Sequence, residues 1–325
     1  MRTTNIALRP PVSSVFALQV PFPLMVTAFC LLWSSAFSVA KIAITDCPPL
    51  LVLTARFLLA AVFMFGAAAI FGTKMRLGRR DLLVLTVLGI ANQAVYLGLS
   101  YMGIRTISSG LAALLISANP VLTAVMAALF LGERITLLKG AGLLLGIGGV
   151  AFVVESRLSG GVEHSAGIAL AVAALISLAV GTIAFKRFTP AGGLWIGTAV
   201  QNMAAGLALL PIALTSESIS DIVPSWRLFG ALFYLALLVS GLAYLLWFHL
   251  LTISGATTAS SYHFMMPPLG MLFGWLLLGE HVALTDLAGI APVAIGIYLV
   301  TRPTTRQLLT QCSAIGPKQP CRKTD

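Results

Sequence analysis

Apolar stretches long enough to cross a membrane dominate this chain and leave few folds open to it. A helix of about 20 residues spans the hydrocarbon core of a bilayer, and stretches of that length follow one another here with short connections. On this basis we expect ten transmembrane helices. Their predicted bounds are 22–44, 50–71, 82–104, 107–131, 135–154, 167–188, 192–214, 227–252, 256–278 and 283–301.

The composition excludes a soluble globular protein of this length. Only 9% of the 325 residues are charged and 58% are hydrophobic, whereas a soluble domain carries about 25% charged residues. The four cysteines and four histidines are scattered without the spacing of a metal site or of a disulfide framework. The sequence therefore predicts an all-α integral membrane protein that holds no metal and no cofactor.

A long segment of the sequence occurs twice. Residues 120–149 are matched 147 positions later by residues 267–296. Each copy predicts an apolar helix with a proline, a Gly-Glu turn that contains Glu133 or Glu280, and a second, Gly-rich apolar helix. The copies close two groups of five helices, and an odd number of crossings inverts the second group relative to the first. Two inverted five-helix repeats are typical of secondary transporters, which bind their solute near the membrane midplane.

The Lys and Arg residues indicate which side of the membrane each connection faces. Of the 20, fifteen fall on the side of the N-terminus, four fall on the other side, and Arg56 lies within the second helix. Because cytoplasmic loops are rich in Lys and Arg, we expect both termini in the cytoplasm, and the net charge of +10 then reflects topology and not nucleic-acid binding. The expected organisation is a cytoplasmic tail (1–21), a first repeat (22–155), a periplasmic or extracellular linker (156–166), a second repeat (167–302) and a disordered basic tail (303–325).

Three groups of stretches carry a resemblance to a known family. They are LLWSSAFSVAKIAI with PPLLVLTARFLLAA, YLGLSYMGIRTISSGLAALLISANPVLTAVMAALFLGERIT, and LLVSGLAYLLWFHLLTISGATTASSYHFMMPPLGMLFGWLLLGEHV. These resemble the drug/metabolite transporter superfamily and, within it, the EamA-like permeases, whose Arg-Phe pair is matched by Arg56 and Phe57. The resemblance covers nearly all of residues 22–302. It implies ten transmembrane helices, a central cavity, alternating access, and mostly outward transport of amino acids and other small polar metabolites.

Polar and aromatic side chains near the helix midpoints are the candidate substrate contacts, because polar groups inside a membrane usually face a cavity or another helix. Asn92, Tyr96 and Ser100 follow one another at four-residue steps and so predict one polar helix face. The full candidate set is Trp33, Ser34, Asn92, Gln93, Tyr96, Asn119, Gln201, Asn202, Tyr244, Trp247, Tyr262 and His263. For the amides at 92, 93, 201 and 202, hydrogen bonding between helices is the alternative role.

Five further residues are expected to have gating or structural roles: Arg56, Pro120, Glu133, Pro267 and Glu280. Arg56 either attracts a substrate carboxylate or extends to the membrane surface. The two prolines kink their helices, and the carbonyls that they free could line a cavity. The two glutamates lie at the membrane edge, where a salt bridge or helix capping is favoured over proton coupling. His263 is a better candidate than the glutamates for an intramembrane proton site, but a neutral hydrogen-bonding role is favoured for it.

The predicted function is a secondary transporter in a bacterial cell membrane that exports a small polar metabolite, with an amino acid or amino acid derivative as the leading candidate. Uptake or exchange of a larger metabolite, such as a nucleoside or sugar, is the alternative. An intramembrane enzyme is disfavoured because the chain lacks H-E-x-x-H, G-x-S-x-G and paired intramembrane aspartates. A scaffold would not require midplane amides in two inverted halves. The expected partners are a small-molecule solute and the lipid bilayer, with a proton as candidate coupling ion and the oligomeric state left open.

Overall fold

The structure of the protein is a computed structural model that describes residues 20–71, 77–133, 135–159, 163–188 and 193–301. Regular secondary structure within these ranges is helical throughout, and they contain no strand. Most of the N-terminal tail expected over 1–21, the C-terminal tail expected over 303–325, and Arg134 lie outside the described residues, as does the centre of the predicted linker at 160–162.

Fourteen α-helices are present in the described ranges, several of them joined end to end. In chain order they are α1 (Phe22–Asp46), α2 (Pro49–Ile70), α3 (Arg79–Gly89), α4 (Tyr96–Gly103), α5 (Ser109–Ile116), α6 (Asn119–Leu131), α7 (Leu137–Ser159), α8 (Ser165–Phe188), α9 (Leu194–Ser216), α10 (Trp226–Tyr234), α11 (Tyr244–Ser254), α12 (Ala256–Ser261), α13 (Met266–Leu278) and α14 (Leu284–Thr301). Two π-helical turns, Ile90–Val95 and Leu235–Ala243, join α3 to α4 and α10 to α11. The 3₁₀ turns are Ile219–Asp221 and Tyr262–Met265.

Eight helical spans among the described residues are long and apolar enough to cross a membrane. They are Phe22–Asp46, Pro49–Ile70, Arg79–Gly103, Ser109–Leu131, Leu137–Ser156, Ser165–Phe188, Leu194–Ser216 and Trp226–Ser254. The prediction of an all-α membrane protein is therefore confirmed. The ninth and tenth predicted crossings stay predictions: a 3₁₀ turn divides residues 256–278, and α14 has 18 residues, slightly fewer than the roughly 20 that a crossing needs.

The repeated segment forms the same local structure in both places. Pro120 and Pro267 each lie in the first turn of a helix, α6 and α13, where proline is tolerated because the first amides of a helix have no partner within it. Both helices end at a glycine in the left-handed region, Gly132 at φ +69° and Gly279 at φ +65°, a conformation that side chains with a Cβ rarely adopt. The predicted Gly-Glu turns are confirmed.

Helices from the two predicted halves pack against one another along their length. The principal partners are α2 with α9, α7 with α14, α4 with α8 and α1 with α13. At the contact of α7 with α14, a Cβ on Gly149 would meet the carbonyl oxygen of Gly289, and one on Gly296 would meet that of Gly142. Such close backbone approach is what small residues permit between membrane helices, so these glycines allow α7 and α14 to pack tightly.

Candidate functional site

A small cavity lies between α1, α2, α4 and α11. Its polar and aromatic lining residues are Trp33, Phe37, Arg56, Tyr96, Ser100, Tyr101 and Tyr244, and the rest of the wall is apolar. The cavity offers about 20 Å³ to the centre of a water-sized sphere. A single water needs about 10 to 15 Å³ on this measure, so the described conformation is closed around a space smaller than an amino acid.

Arg56 supplies the charge in this cavity. It is 1% exposed, and its guanidinium donates from Nε to Ser240 Oγ at 2.7 Å and from Nη1 to Tyr101 Oη at 2.8 Å. The Cζ atom also lies 6.0 Å from the ring centroid of Tyr101. No carboxylate of the described residues lies within ion-pair distance of Arg56. The side chain thus lines the cavity and does not extend to the membrane surface.

An aromatic cluster extends the cavity wall behind Trp33. The Trp33 ring lies 4.9 Å from Tyr244 and 5.1 Å from Phe29, measured between centroids. Trp247 stacks on Phe29 at 5.6 Å and meets His263 edge-on at 4.8 Å. His263 is fully buried, with Nδ1 on the carbonyl oxygen of Ser260 at 3.1 Å and no partner for Nε2 among the described residues. Trp33 therefore separates the cavity from the histidine.

The π-helical turn at Ile90–Val95 moves Asn92, one of the predicted substrate contacts, away from the cavity. In a regular helix Asn92 would share a face with Tyr96 and Ser100, but the extra residue of a π turn rotates everything before it. Tyr96 and Ser100 line the cavity, whereas the Asn92 amide packs on α8, where a Cβ at Gly181 would collide with it. The Asn92 carbonyl oxygen accepts from Tyr244 Oη at 3.2 Å.

The remaining candidate residues are buried in the protein or lie at its periphery. Gln93, buried beside Asn92, has no hydrogen-bond partner for either side-chain atom among the described residues, and the same holds for Ser34 Oγ. Gln201 Nε2 donates to the Gly197 carbonyl of its own helix at 3.2 Å, and Asn202 Nδ2 donates to the carbonyls of Thr198 at 2.8 Å and Ser240 at 3.3 Å. Asn119 Oδ1 accepts from Thr123 at 3.1 Å. Tyr262 is partly exposed, and these six residues do not line the cavity.

Tyr101 was not among the predicted contacts, although it holds the guanidinium. Its neighbour Ser100 belonged to the predicted polar face, and on a helix residues 96, 97, 100, 101 and 104 form one broad stripe, which is the stripe that lines the cavity. Ser240 was also not among the predicted contacts, and its pairing with Arg56 joins residues 184 positions apart. Only the packing of α2 against the second π turn brings these two side chains together.

The glutamates of the two Gly-Glu turns each hold the start of a distant helix. Glu280 accepts from the backbone amides of Ser109 at 2.9 Å and Gly110 at 3.2 Å and from Ser109 Oγ at 2.9 Å, and Lys41 Nζ lies 3.3 Å away. Glu133 accepts from the amide of Ala256 at 3.3 Å and from Thr257 Oγ1 at 2.5 Å. We call these sets of contacts the Glu280 clasp and the Glu133 clasp.

The electrostatics of Glu280 follow from its neighbours. Burial by itself raises the pKa of the Glu280 carboxyl, but the Ser109 and Gly110 donors and the Lys41 ammonium outweigh burial and lower the pKa below its ordinary value. Amides at a helix start favour a negative charge because they have no partner within the helix. The carboxylate is therefore ionised at neutral pH and fixed to the start of α5.

The chain matches known transporters over nearly all of its described length. A family model described as the EamA-like transporter family matches residues 22–155 and 165–302. The uncharacterized transporter YvbV of Bacillus subtilis is 28% identical over 90% of this chain and 94% of its own. A probable terminal-alkyne amino-acid exporter of Streptantibioticus cattleyicolor is 26% identical over 84% of this chain and 90% of its own.

A solved crystal structure shares the fold. It superposes with a TM-score of 0.70 over 86% of this chain and 95% of that one, at 19% sequence identity. The apolar spans, the enclosed cavity and the match of both halves to one family model agree with one another. This chain is a membrane protein of the EamA-like transporter family.

Proposed function

We propose that the protein is a secondary transporter that exports an amino acid or an amino acid derivative by alternating access. The observation that carries the proposal is the buried Arg56 guanidinium, which lines a closed cavity without a carboxylate partner among the described residues. Two of its five N–H groups are bonded to protein. A buried cation left in this state costs several kcal/mol, and a solute carboxylate would offset that cost through charge-assisted hydrogen bonds.

The proposal includes ten crossings arranged as two inverted five-helix repeats. The two clasps support it, because Glu133 holds residues 256 and 257 while Glu280 holds residues 109 and 110, which are the same positions 147 residues apart. The lysines near the ends of α1 and α8 give a further pair: Lys41 Nζ donates to the carbonyl of Ile107 and Lys186 Nζ to that of Leu251, both at 3.0 Å. Reciprocal contacts of this kind are expected where two related halves face each other.

The π-helical turns give independent support for the repeat. The turn at Ile90–Val95 and the turn at Leu235–Ala243 overlap when one is displaced by 147 residues. Turns of this kind are rare and often lie at functional sites, because they leave backbone carbonyls for other partners. Here the carbonyl of Asn92 accepts from Tyr244 of the second half, and the carbonyl of Ser240 accepts from Asn202 within the second half. The first of these bonds joins the two halves at Tyr244, which lines the cavity.

Export of an amino acid or derivative is supported by the relative named as a probable amino-acid exporter. Alternating access accounts for a cavity too small for such a solute, since both clasps are closed in the described conformation and one must open to admit it. We place both termini in the cytoplasm on the basis of the Lys and Arg distribution. His263 is the proposed group for coupling to a proton, because its Nε2 atom has no partner among the described residues.

Counterflow into proteoliposomes tests this function. The vesicles are loaded with unlabelled amino acids and N-acyl amino acids, and uptake of labelled tracer is compared for wild type, Arg56→Gln and Arg187→Gln. Arg187 is exposed at the end of α8 and serves as the charge-matched control. We expect Arg56→Gln to lower the initial rate at least about tenfold, which corresponds to the loss of one charge-assisted contact.

The outcomes separate the site from the function. Exchange that survives in Arg56→Gln at the wild-type rate would show that solute does not bind at Arg56. Failure of every compound in a broad panel to exchange with wild type would contradict the transport of small amino acid derivatives itself. Gel filtration and thermal unfolding of each purified variant establish that the comparison is made between folded proteins.

A further inference from the structure

The cavity contains a fixed positive charge and no negative one. Arg56 is the charged residue in its lining. Nine of the ten acidic residues lie in the described part of the chain, and each is at a helix end or in a connection: Asp46, Asp81, Glu133, Glu155, Glu163, Glu217, Asp221, Glu280 and Asp286. Because these positions follow from the order of the helices, opening the cavity to either side leaves its centre without a carboxylate.

This charge distribution favours the carboxylate of an amino acid and disfavours its ammonium group. The carboxylate can bind Arg56, but the ammonium then lies about 5 to 6 Å away from the guanidinium, with no carboxylate to balance it. Two like charges at this distance in a protein repel by an amount equivalent to about a hundredfold in affinity. Attraction of the ammonium to the faces of Trp33 and Tyr244 raises the affinity by about tenfold. The repulsion is larger, so the cavity disfavours a zwitterion.

The hydroxyl groups beside Arg56 reinforce the preference for an anion. Tyr101 Oη accepts a hydrogen bond from Arg56, so its own proton remains available to a further acceptor. Ser100 Oγ is buried and has no hydrogen-bond partner among the described residues. Both side chains line the cavity and can donate to a carboxylate that is already bound to the guanidinium.

The remaining wall favours an apolar body. Trp33, Phe37, Tyr96 and Tyr244 contribute aromatic surface, and the other lining residues apart from those already named are aliphatic. Burying aromatic surface of a solute against such a wall is favourable, whereas burying an ammonium without a charged partner or enough acceptors is not.

We infer that the solute is a monocarboxylate with a net charge of −1 and an aromatic or apolar body, whose nitrogen is acylated or absent. This inference rests on the proposed function and narrows it from amino acids in general to derivatives that have lost the ammonium. Arg56 neutralises the carboxylate, Tyr101 and Ser100 donate to it, and the aromatic wall receives the body.

A series of compounds that share one phenyl body separates charge from size. The compounds are 3-phenylpropanoate and N-acetylphenylalanine as anions, phenylalanine as the zwitterion, phenethylamine as the cation, and N-acetylphenylalanine amide as the neutral control for the acyl group. Binding to the purified full-length protein is measured from quenching of tryptophan fluorescence. Competition in counterflow is measured with the same compounds.

We expect both anions to bind at least about tenfold more tightly than phenylalanine, phenethylamine and the neutral amide. Arg56→Gln should remove this preference, Arg56→Lys should retain it with weaker binding because lysine cannot make the bidentate contact, and Arg187→Gln should leave it unchanged. Phenylalanine that binds as tightly as N-acetylphenylalanine would overturn the inference while leaving amino acid export in place. An anion preference that persists in Arg56→Gln would also overturn it, and binding or exchange of none of the compounds would overturn it together with the proposed function.

Discussion

The two clasps are built from the same Gly-Glu turn but hold their helices unequally. In the Glu280 clasp, the carboxylate makes three hydrogen bonds to Ser109 and Gly110 and an ion pair with Lys41. In the Glu133 clasp, the carboxylate makes two hydrogen bonds, and the one to a backbone amide is long, at 3.3 Å. Equal motifs in two halves of the sequence therefore do not make equal contacts.

The cause of the difference lies in the residues that receive the carboxylates. Before α5, Ser108 caps the helix with its own side chain and is itself bonded to Glu163 through its amide at 2.9 Å and its hydroxyl at 2.6 Å. The matching position before α12 is Gly255, at φ +84° and without a side-chain cap. A helix start that is capped twice resists separation more than one that is capped once, so we expect the Glu133 clasp to open at lower cost.

Removal of each clasp carboxylate gives the largest expected effects. Glu280→Ala should lower the free energy of unfolding by about 2 to 3 kcal/mol and Glu133→Ala by about 1 kcal/mol, because the first leaves more buried donors without an acceptor. The measurement is the Tm of purified protein in one detergent. Glu155→Ala, which removes an exposed carboxylate on α7, is the control. Equal losses at 133 and 280 would contradict the proposed inequality of the clasps.

Acidification should weaken the Glu280 clasp by an intermediate amount. The folded protein lowers the pKa of the Glu280 carboxyl below its ordinary value of 4.5, so the stability that it contributes is complete above pH 4.5 and is lost as the pH falls through the lower, folded-state pKa. We expect the Tm of wild type to fall more steeply with acidification below pH 4.5 than that of Glu280→Gln. Glu163, bound to the neighbouring Ser108, is present in both proteins, so its contribution cancels in the difference. Parallel curves would show that the ionised carboxylate does not hold α5.

The sequence predicts the Gly-Glu turns of the clasps but not which side chains line the cavity. The Gly-Glu turns were predictable because glycine after an apolar helix is a local signal, and Gly132 and Gly279 have the positive φ that this signal implies. The π-helical turn at Ile90–Val95 has no such signal, since the sequence IANQAV does not differ in composition from an ordinary membrane helix. The turn changes the helix face, so Asn92 faces α8 while Tyr96 and Ser100 line the cavity.

The role of Arg56 could not be predicted because its partners are distant in the sequence. Arg56 was identified as an intramembrane cation, and its two possible roles could not be separated without its partners. Those partners, Tyr101 and Ser240, lie on two other spans, and no spacing rule relates them to residue 56. The absence of a carboxylate from the helix midpoints, in contrast, can be seen in the sequence, because the acidic residues of the described part of the chain lie at helix ends or in connections.

The smallest expected effect tests what makes the Glu280 clasp the stronger one. The Lys41 side chain is 30% exposed, and partly exposed ion pairs contribute about 0.5 kcal/mol, so Lys41→Met should lower the Tm only slightly. Raising the ionic strength from about 50 mM to about 500 mM should remove most of that difference, because salt screens exposed charges. If Lys41→Met instead destabilised the protein as much as Glu280→Ala, the ion pair would dominate the clasp. The two clasps would then differ in how strongly a lysine acts on each carboxylate, Lys41 on Glu280 and Lys186 on Glu133. The helix caps at Ser108 and Gly255 would not be the reason for the difference.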